Sequence, residues 1–540
     1  MSWMFNSLLL LSLLIASSSA LFPGAVPEDG DIRHIYPVVN IAIGLDTHHH
    51  SLTFLLGWLE NLNYPKSRII VEFYVLNTED ATSFQLKLWL NPVKKYYKDV
   101  KVIRETTNWM EDAFRSARLS KASRVFIMSG DTTPHDLWIL QRLANEPKEV
   151  VLIPIFRSLG DTSNGDDIVS EGFLNGETVR EQVYTAFLPL AINLTMIDSS
   201  YLTFNEENIP YYDGPRDPLS VFATSAFRMG IKMMVDHQIN YGMYVNPGFE
   251  LQNRRRVFRY HLADIIASGN ELPIVSKYMK PFTVRSNKWN TDEIYLINLK
   301  RRPERLEKMK KIFKYLGINH TVVEAVDGRN LDELPAKYKN FKILDGYLDP
   351  IAKRPMKNGE IGCFLSHYRI WEEVVEKKYE KVIIFEDDLR FSLLGMESVY
   401  EVLEDLEASK KPWDLIYLGR KKQAKDQEEL WVPHHRHLST VGYSYWTLGY
   451  LLSASGAKKL IDAKPLEKLM PVDEFLPLMY GKHPEEKWNA QFPVRNLDAF
   501  TMYPLVVSPQ FYTNDENYVS DTEDSSLAID LTKPPVKEEL

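Results

Sequence analysis

The stretch KVIIFEDDLRF, residues 381–391, places four apolar residues directly before three consecutive acids, Glu386, Asp387 and Asp388. A short apolar run of this kind is typical of a buried strand in a parallel sheet, and ligands bind beyond the carboxyl ends of such strands. Because adjacent carboxylates repel one another, the arrangement indicates a bound group that shares their charge. Alternate residues of an extended backbone share a face, which predicts that Glu386 and Asp388 point together and that Asp387 points away.

This pair of acids predicts a divalent cation. Carboxylate oxygens are the ligands that Mn²⁺ and Mg²⁺ prefer in proteins. We therefore expect Glu386 and Asp388 to bind such a cation on a diphosphate, with a neighbouring carboxylate left for a ribose hydroxyl or a metal-bound water. For this segment alone, a solvated acidic turn after a strand is the open alternative.

A second loop carries the opposite charge. The strand-like stretch EIYLINL is followed by KRRPERLEKMKKIFKYLG, residues 300–317, which has the apolar spacing of a helix. Pro303 suits the first helical turn, so Arg301 and Arg302 lie at a strand-to-helix junction. Guanidinium groups and a helix N-terminus favour an anion such as a diphosphate there. A basic loop that is only solvated is the alternative.

The whole chain alternates strand-like and helical runs, which predicts βαβ units and mostly parallel sheets. Its 540 residues exceed the size at which one hydrophobic core stops growing, so two domains are expected. The predicted α/β domains and their flanking segments are a signal peptide at 1–20, a first domain at 36–262, a linker at 263–290, a second domain at 291–512 and an acidic tail at 513–540.

Both ends of the chain predict a secretory route. The leucine-rich N-terminal run is shorter than a bilayer requires, which favours a cleavable signal peptide over a membrane anchor. The last four residues, Lys537 to Leu540, read KEEL, similar to the address that a retrieval receptor recognises in the endoplasmic reticulum. We expect a protein of the endoplasmic reticulum lumen without a membrane span. Asn193 and Asn319 begin Asn-x-Thr sequons, which are candidate glycosylation sites.

Charge and cysteine content narrow the function classes. A net charge of −9 argues against a nucleic-acid partner, because phosphates require a basic face. Cys363 is the single cysteine, so no disulfide can form within the chain. It lies in a helical pattern, where we expect a small buried hydrophobic residue and not a reactive thiol.

The motifs of the second domain resemble those of a known family. They are, in order, INL followed by RRPER, then AVDG, GEIGCFLSHYRIW, FEDDLRF, WDLIYLGRKK, YSYWTLGYLLSASGAKKL and PVDEFLPLM. This series is similar to glycosyltransferase family 25, in the group of the animal procollagen galactosyltransferases and their cerebral endothelial cell adhesion relative. The first domain resembles the N-terminal domain of the same proteins. The resemblance implies two glycosyltransferase-A-like, Rossmann-like domains in tandem.

The resemblance also implies an activity. It is the transfer of galactose from UDP-galactose to 5-hydroxylysine of collagen, with Mn²⁺ and with inversion at the anomeric carbon. Inversion requires a general base, for which Asp473 and Glu474 are the candidates, although the pair could instead cap a helix. His483 is a candidate third metal ligand, with a surface histidine as the alternative. The remaining donor-binding candidates are Asn298, Arg301, Arg302, Asp327, Gly328, Asp387 and His367, the last of which could also be a core histidine.

The first domain departs from the family pattern. Where animal relatives carry Asp-x-Asp, this chain has SGD, with Ser129 in place of the first acid and Asp131 in place of the second. A serine hydroxyl is a poor ligand for a hard dication. We therefore expect a degenerate first domain that serves acceptor binding, homodimer formation or packing.

Two other functions compete with the enzyme. One is a non-catalytic, glycosyltransferase-like adhesion or binding protein of the secretory pathway. The other keeps the enzyme but changes the acceptor, since bacterial relatives glycosylate lipopolysaccharide. The intact acids and the Arg301–Arg302 loop favour the enzyme, and the predicted lumenal address favours a protein acceptor.

Overall fold

The computed structural model describes residues 36–76, 80–144, 148–157, 180–237, 239–246, 248–350, 352–423 and 428–510. The predicted signal peptide, the acidic tail and the KEEL ending lie outside these residues. Two compact units divide the chain. The first extends to Phe258 and includes Leu272–Phe282, and the second holds Arg259–Glu271 and everything from Thr283 onward.

The predicted boundary between residues 262 and 263 falls inside a helix, Leu251–Ala267. The apolar periodicity continues through it, and Leu262, Ala263 and Ile266 are buried. The predicted linker of residues 263–290 is therefore helical at its start, and its remainder is divided between the two units.

The first unit is built on a mixed sheet of eight strands, in the order β3-β2-β1-β4-β8-β6-β9-β7, and a two-stranded sheet of β5 and β10. Strands β1, β2, β3 and β4 are parallel, and β8 lies antiparallel between β4 and β6. The strands are β1 Val39–Leu45, β2 Ile69–Val75, β3 Asp99–Ile103, β4 Arg124–Ser129, β5 Thr132–Pro134, β6 Val151–Pro154, β7 Arg180–Val183, β8 Leu190–Asn193, β9 Met233–Asp236 and β10 Gly242–Tyr244. The helices are Leu52–Asn61, Thr82–Val93, Trp109–Leu119, Ile139–Ala144, Pro218–Arg228 and the first part of Leu251–Ala267.

The second unit is built on a mixed sheet of seven strands, in the order β12-β11-β13-β17-β15-β18-β16, and a two-stranded sheet of β14 and β19. Its strands are β11 Glu293–Asn298, β12 Thr321–Glu324, β13 Lys381–Phe385, β14 Leu389–Phe391, β15 Leu415–Lys422, β16 Leu438–Thr440, β17 Ser444–Ser453, β18 Ala499–Met502 and β19 Val507–Pro509. Its helices from Thr283 onward are Pro303–Leu316, Ala336–Lys339, Asn358–Lys377, Gly395–Ser409, Ala454–Asp462, Val472–Met479 and Glu486–Asn489.

The two units share one topology. The order β12-β11-β13-β17-β15-β18-β16 matches β2-β1-β4-β8-β6-β9-β7, and every corresponding pair of neighbours has the same parallel or antiparallel sense. The predicted fold class, two α/β domains in tandem, is confirmed. Most strands of each sheet run in one direction, as the sequence predicts, but both sheets are mixed, because β8 and β17 each enter antiparallel beside the strand that carries the acidic motif and β7 and β16 are antiparallel at one edge. 

The helix predicted after the basic loop is present as Pro303–Leu316. It starts with Pro303 in its first turn and ends at Gly317, whose φ of 70° is the left-handed conformation that glycine adopts readily. Met309, Phe313 and Leu316 are buried, so the apolar stripe holds the helix on the sheet. Of the helices in the described part of the chain, none combines the length and the apolar character that crossing a membrane requires.

Candidate active site

A cavity of about 320 Å³ opens at the carboxyl edge of β11 and β13 in the second unit. Its walls come from the loop after β11, the loop after β12, the first turns of Asn358–Lys377 and the loop after β13. The lining residues are Ile297, Leu299, Arg301, Arg302, Arg305, Ala325, Val326, Asp327, Gly328, Arg329, Asn358, Gly359, Cys363, Ser366, His367, Glu386, Asp387 and Asp388.

All three acids of the opening motif line this cavity. The prediction that Asp387 points away is wrong, because the strand ends at Phe385 and the acids follow in a bend, where alternation does not hold. Arg305 Nη1 lies 3.2 Å from Asp387 Oδ1 and 2.9 Å from Asp388 Oδ2. Asn298 Nδ2 donates to Asp387 Oδ2 at 2.5 Å. Asp387 is thereby held by protein partners.

Glu386 is oriented from the neighbouring strand β17. Thr447 Oγ1 donates to Glu386 Oε1 at 2.6 Å, and the Glu386 amide donates to the carbonyl of Leu448 at 3.0 Å. Trp446, just before Thr447, has a φ of 68°, and the pairing of β17 with β15 shifts register beside it. A non-glycine residue in this conformation costs free energy, about 1–3 kcal/mol, that the surrounding structure must supply. Thr447, the donor to Glu386, directly follows this irregularity.

The acids together carry more negative charge than Arg305 neutralises. Burial, and secondarily the charge of Glu386, raises the pKa of Asp388 to about 6, although 35% of its side chain is exposed. Burial also raises the pKa of Asp387. The Asp388 Oδ1 atom is buried, and no described residue donates a hydrogen bond to it. Three carboxylates beside one guanidinium, with an acceptor oxygen unused, fit a divalent cation.

Another part of the cavity lining suits an anion. Arg301, Arg302 and Arg329 line it, and Arg301 Nε donates to Asp327 Oδ2 at 2.8 Å. The N-terminus of Asn358–Lys377 also lines it, through its first two residues. Gly328 permits this approach, because a Cβ there would lie 2.2 Å from the carbonyl oxygen of Asn358. Guanidinium groups and a helix N-terminus are the partners that a diphosphate requires.

His367 and Cys363 lie one turn apart on Asn358–Lys377 and face Glu386. His367 is 1% exposed, and its Nε2 lies 3.6 Å from Glu386 Oε1. One potential ligand atom from each of these three residues lies within 4.8 Å of the others. Cys363 lines the cavity and is not fully buried, which differs from the prediction, but burial and nearby acids raise the pKa of its thiol. The thiol therefore stays protonated.

The two candidate bases have different surroundings. Glu474 is 3% exposed, accepts a hydrogen bond from Tyr443 at 2.7 Å and lies 2.8 Å from His483 Nε2. Asp473 is partly exposed, and burial together with Glu474 raises its pKa well above the usual range. Neither acid caps the helix Val472–Met479, which begins without a side-chain hydrogen bond at its N-cap. Neither lines the cavity directly.

His483 is placed differently from both sequence-based interpretations. It is 5% exposed, so it is not a surface histidine. Its Nδ1 accepts a hydrogen bond from the amide of Glu485 at 3.0 Å, and its Nε2 faces Glu474. With both ring nitrogens engaged by protein atoms, His483 has no free nitrogen for a metal ion.

The two sequons differ in exposure. Asn193 is 3% exposed, and its side-chain oxygen accepts hydrogen bonds from Arg124 and Thr195. This burial leaves no room for a glycan, so the predicted modification at Asn193 conflicts with the folded structure. Asn319 is exposed and stays a candidate.

The corresponding position in the first unit is filled by protein contacts. Asp131 directly precedes β5 as Asp388 directly precedes β14, so the two occupy equivalent places. Ser129 Oγ donates to Asp131 at 2.6 Å, His48 Nε2 lies 3.1 Å from it, and Arg254 Nη1 lies 3.4 Å away. Burial alone would raise the pKa of Asp131, but these hydrogen bonds and charges lower it.

Three contributors to the site escaped the sequence reasoning. Arg305 is one of them, although its spacing of one helical turn from Arg301 and Arg302 is a usable signal. The N-terminus of Asn358–Lys377 was signalled by the glycines of GEIGC. Thr447 had no signal, because its contact with Glu386 depends on β17 pairing antiparallel with β13.

Several known proteins are similar to this chain over most of its length. Residues 291–476 match the family glycosyltransferase family 25, described as LPS biosynthesis protein. The chain is 35% identical to a glycosyltransferase 25 family member of Anopheles gambiae, over 93% of this chain and 91% of that protein. It is 35% identical to procollagen galactosyltransferase 1-A of Xenopus laevis, over 98% of this chain and 92% of that protein. It is 32% identical to procollagen galactosyltransferase 2 of Homo sapiens, over 96% and 90%.

Proposed function

Because the chain belongs to glycosyltransferase family 25, we propose that it transfers galactose from UDP-galactose to 5-hydroxylysine of collagen or a collagen-like chain. The reaction inverts the anomeric carbon and depends on a divalent cation. The proposal rests on one observation: the acids Glu386 to Asp388 and a set of arginines that includes Arg301 and Arg302 line a single cavity. The names of the relatives support galactose and collagen as substrates.

Glu386 and Asp388 would hold the cation, Mn²⁺ or Mg²⁺. When bound, such an ion stabilises the negative charge that develops on a leaving diphosphate. Asp387 serves a different purpose, since Arg305 and Asn298 engage both of its oxygens, whereas Asp388 Oδ1 has no partner among the described residues. Thr447 fixes the orientation of Glu386.

The donor's diphosphate binds between the arginines and the N-terminus of Asn358–Lys377. Arg301 and Arg302 supply charge-assisted hydrogen bonds, and the helix N-terminus supplies backbone amides. Asp327 holds Arg301 in place. Gly328 keeps the helix N-terminus within reach of the cavity.

Asp473 is the proposed general base. A carboxylate with a raised pKa is a stronger base toward a hydroxyl proton than one with an ordinary pKa. Burial and Glu474 raise the pKa of Asp473 in this way. Glu474 is committed to Tyr443 and His483, so we assign it a structural role.

We propose that the protein acts in the lumen of the endoplasmic reticulum and that its first unit is catalytically degenerate. The proposed collagen acceptor agrees with the predicted lumenal address. The contacts that fill the Asp131 position support the second point, since His48, Arg254 and Ser129 occupy the place where a cation would bind. Immunolocalisation of the full chain, with and without the last four residues, tests the address and the proposed retrieval receptor.

A turnover assay tests the activity. Purified protein is incubated with Mn²⁺, UDP-galactose and a collagen-like peptide that carries one hydroxylysine, with a lysine peptide as the matched control. We expect UDP release and a hexose mass increment with the hydroxylysine peptide alone. UDP-glucose in place of UDP-galactose checks the donor. A protein that binds UDP and Mn²⁺ but turns over no UDP-sugar would contradict the proposal in favour of the adhesion or binding protein.

A further inference from the structure

A chain of three buried side chains fixes the proton of His367. Trp371 Nε1 donates to the Tyr450 hydroxyl at 3.0 Å, and an indole nitrogen can only donate. The Tyr450 oxygen therefore accepts this bond. Tyr450 is fully buried, so no solvent competes for its hydroxyl.

The hydroxyl proton of Tyr450 must then go elsewhere. Among the described residues its remaining partner is His367 Nδ1, at 2.9 Å. Because Tyr450 donates, Nδ1 accepts and carries no proton. The proton of the neutral imidazole therefore lies on Nε2.

The His367 Nε2–H group lines the cavity and has no hydrogen-bond acceptor among the described residues. His367 is 1% exposed, and no hydrogen bond reaches Nε2 from the described part of the chain. The nearby Glu386 Oε1 lies 3.6 Å away, beyond hydrogen-bond distance. The Nε2–H donor of His367 and the Oε1 acceptor of Glu386 therefore lie next to each other in the cavity lining. A protonated Nε2 also cannot bind a metal ion. The cluster of Cys363, His367 and Glu386 therefore does not form a metal site in this tautomer.

A hydroxyl group is the ligand chemistry that matches this pair. It accepts one hydrogen bond and donates another, whereas an ionised phosphate oxygen only accepts. A hydroxyl oxygen at ordinary distances from both atoms fits a donor and an acceptor separated by 3.6 Å. Glu386 retains a second carboxylate oxygen for a cation.

We propose that His367 Nε2–H and Glu386 Oε1 together bind one hydroxyl of the nucleotide-sugar donor, and that Trp371 and Tyr450 are positioning residues for His367. This proposal rests on the proposed function, which supplies the nucleotide sugar. The hydroxyl belongs either to the ribose or to the transferred sugar. Both hydroxyls have the same hydrogen-bonding chemistry, and deoxygenated analogues of UDP-galactose distinguish them.

Binding of deoxy probes tests the ligand. Calorimetry with Mn²⁺ compares UDP-galactose, its 2′- and 3′-deoxyribose analogues and its singly deoxygenated galactose analogues. We expect one deoxy probe to bind the wild type about tenfold more weakly than UDP-galactose does, because it loses a hydrogen bond in a buried site. His367→Asn, whose shorter amide does not reach the Nε2 position, should reduce this difference between the probe and UDP-galactose, because only Glu386 Oε1 then binds the hydroxyl. His367→Gln, which keeps an amide N–H near the same place, should stay within about threefold of the wild type for UDP-galactose.

The proton position is measured without any ligand. Selective ¹⁵N-histidine labelling of the full chain, with the His367 resonances assigned by their loss in His367→Gln, reports the tautomer directly. We expect the Nε2–H form in the wild type. Trp371→Phe frees the Tyr450 oxygen and Tyr450→Phe removes the donor to Nδ1, so each should shift the population toward Nδ1–H. A merely structural role for these two aromatic residues would leave the tautomer unchanged.

The outcomes separate this inference from the proposed function. Nδ1–H as the main form in the wild type, or deoxy probes that all bind as tightly as UDP-galactose while turnover is normal, would overturn the inference alone. A wild type that binds no nucleotide would overturn the proposed function and the ligand assignment with it.

Discussion

Asp388→Asn should inactivate the protein and stabilise it at the same time. The carboxylate is placed to bind the cation, and Lewis-acid stabilisation of a leaving diphosphate contributes several kcal/mol. Loss of one ligand should lower turnover on the order of a hundredfold or more. Activity with UDP-galactose and the hydroxylysine peptide is the assay.

The stability gain follows from the raised pKa of Asp388. A rise from 3.8 to about 6 corresponds to about 3 kcal/mol. Because 35% of the side chain is exposed, solvent screening reduces this to about 1 kcal/mol. Removal of the charge should therefore raise the Tm at pH 7.5 without metal by about 2–4 °C.

The stability gain of Asp388→Asn over the wild type should depend on pH. A carboxyl whose folded pKa lies above its unfolded pKa adds stability at low pH, and this stability is lost as the pH rises through about 6. The difference in Tm between Asp388→Asn and the wild type should therefore shrink at pH 5. Mn²⁺ competes with the same proton, so its affinity for the wild type should fall below pH 6.

Asp462→Asn is the matched control for Asp388→Asn. Asp462 is 59% exposed and pairs with Lys458 one turn away, so neither turnover nor Tm should change. An Asp388→Asn variant that is inactive because it melts several degrees lower would make the acid structural. A variant with normal turnover would show that Asp388 does not bind a cation that the reaction requires.

Three further substitutions test other parts of the site. Thr447→Val removes the donor to Glu386 and should weaken Mn²⁺-dependent UDP binding about tenfold, whereas Thr447→Ser should restore it; equal binding by both would remove Thr447 from the site. Asp473→Asn should lower kcat about a hundredfold or more with little change in UDP affinity, and an active variant would mean that Asp473 is not the base. Asp131→Asn should leave turnover within about fivefold, because protein contacts already fill that position; a collapse of activity in a folded variant would show that the first unit takes part in the chemistry.

The fold was largely predictable from apolar patterning. The strand KVIIF and the helix that starts at Pro303 lie where the sequence places them, because short apolar runs and helix-end residues act locally. The antiparallel entry of β17 was not predictable in the same way, since strand direction depends on long-range pairing. The predicted start of the linker at residue 263 is wrong, because its first residues continue the helix Leu251–Ala267.

The site was predictable in composition but not in geometry. Glu386, Asp388 and Arg301 line the expected edge, because the carboxyl ends of β11 and β13 must meet there. The direction of Asp387 was missed because the extended backbone ends one residue before the acids. The engagement of His483 by Glu474 required the tertiary packing of Val472–Met479 and could not be read from spacing.

Product analysis with and without the metal tests directly whether the cavity at Glu386 is the site of galactose transfer. Wild type and Glu386→Gln are each incubated with UDP-galactose and the hydroxylysine peptide, with Mn²⁺ or with a chelator, and the peptide is analysed for galactosyl-hydroxylysine. If this cavity is the transfer site, we expect product from the wild type with Mn²⁺, and at least a hundredfold less in the other three samples. Equal product from Glu386→Gln, or product that is independent of the metal, would contradict the assignment of this cavity as the transfer site.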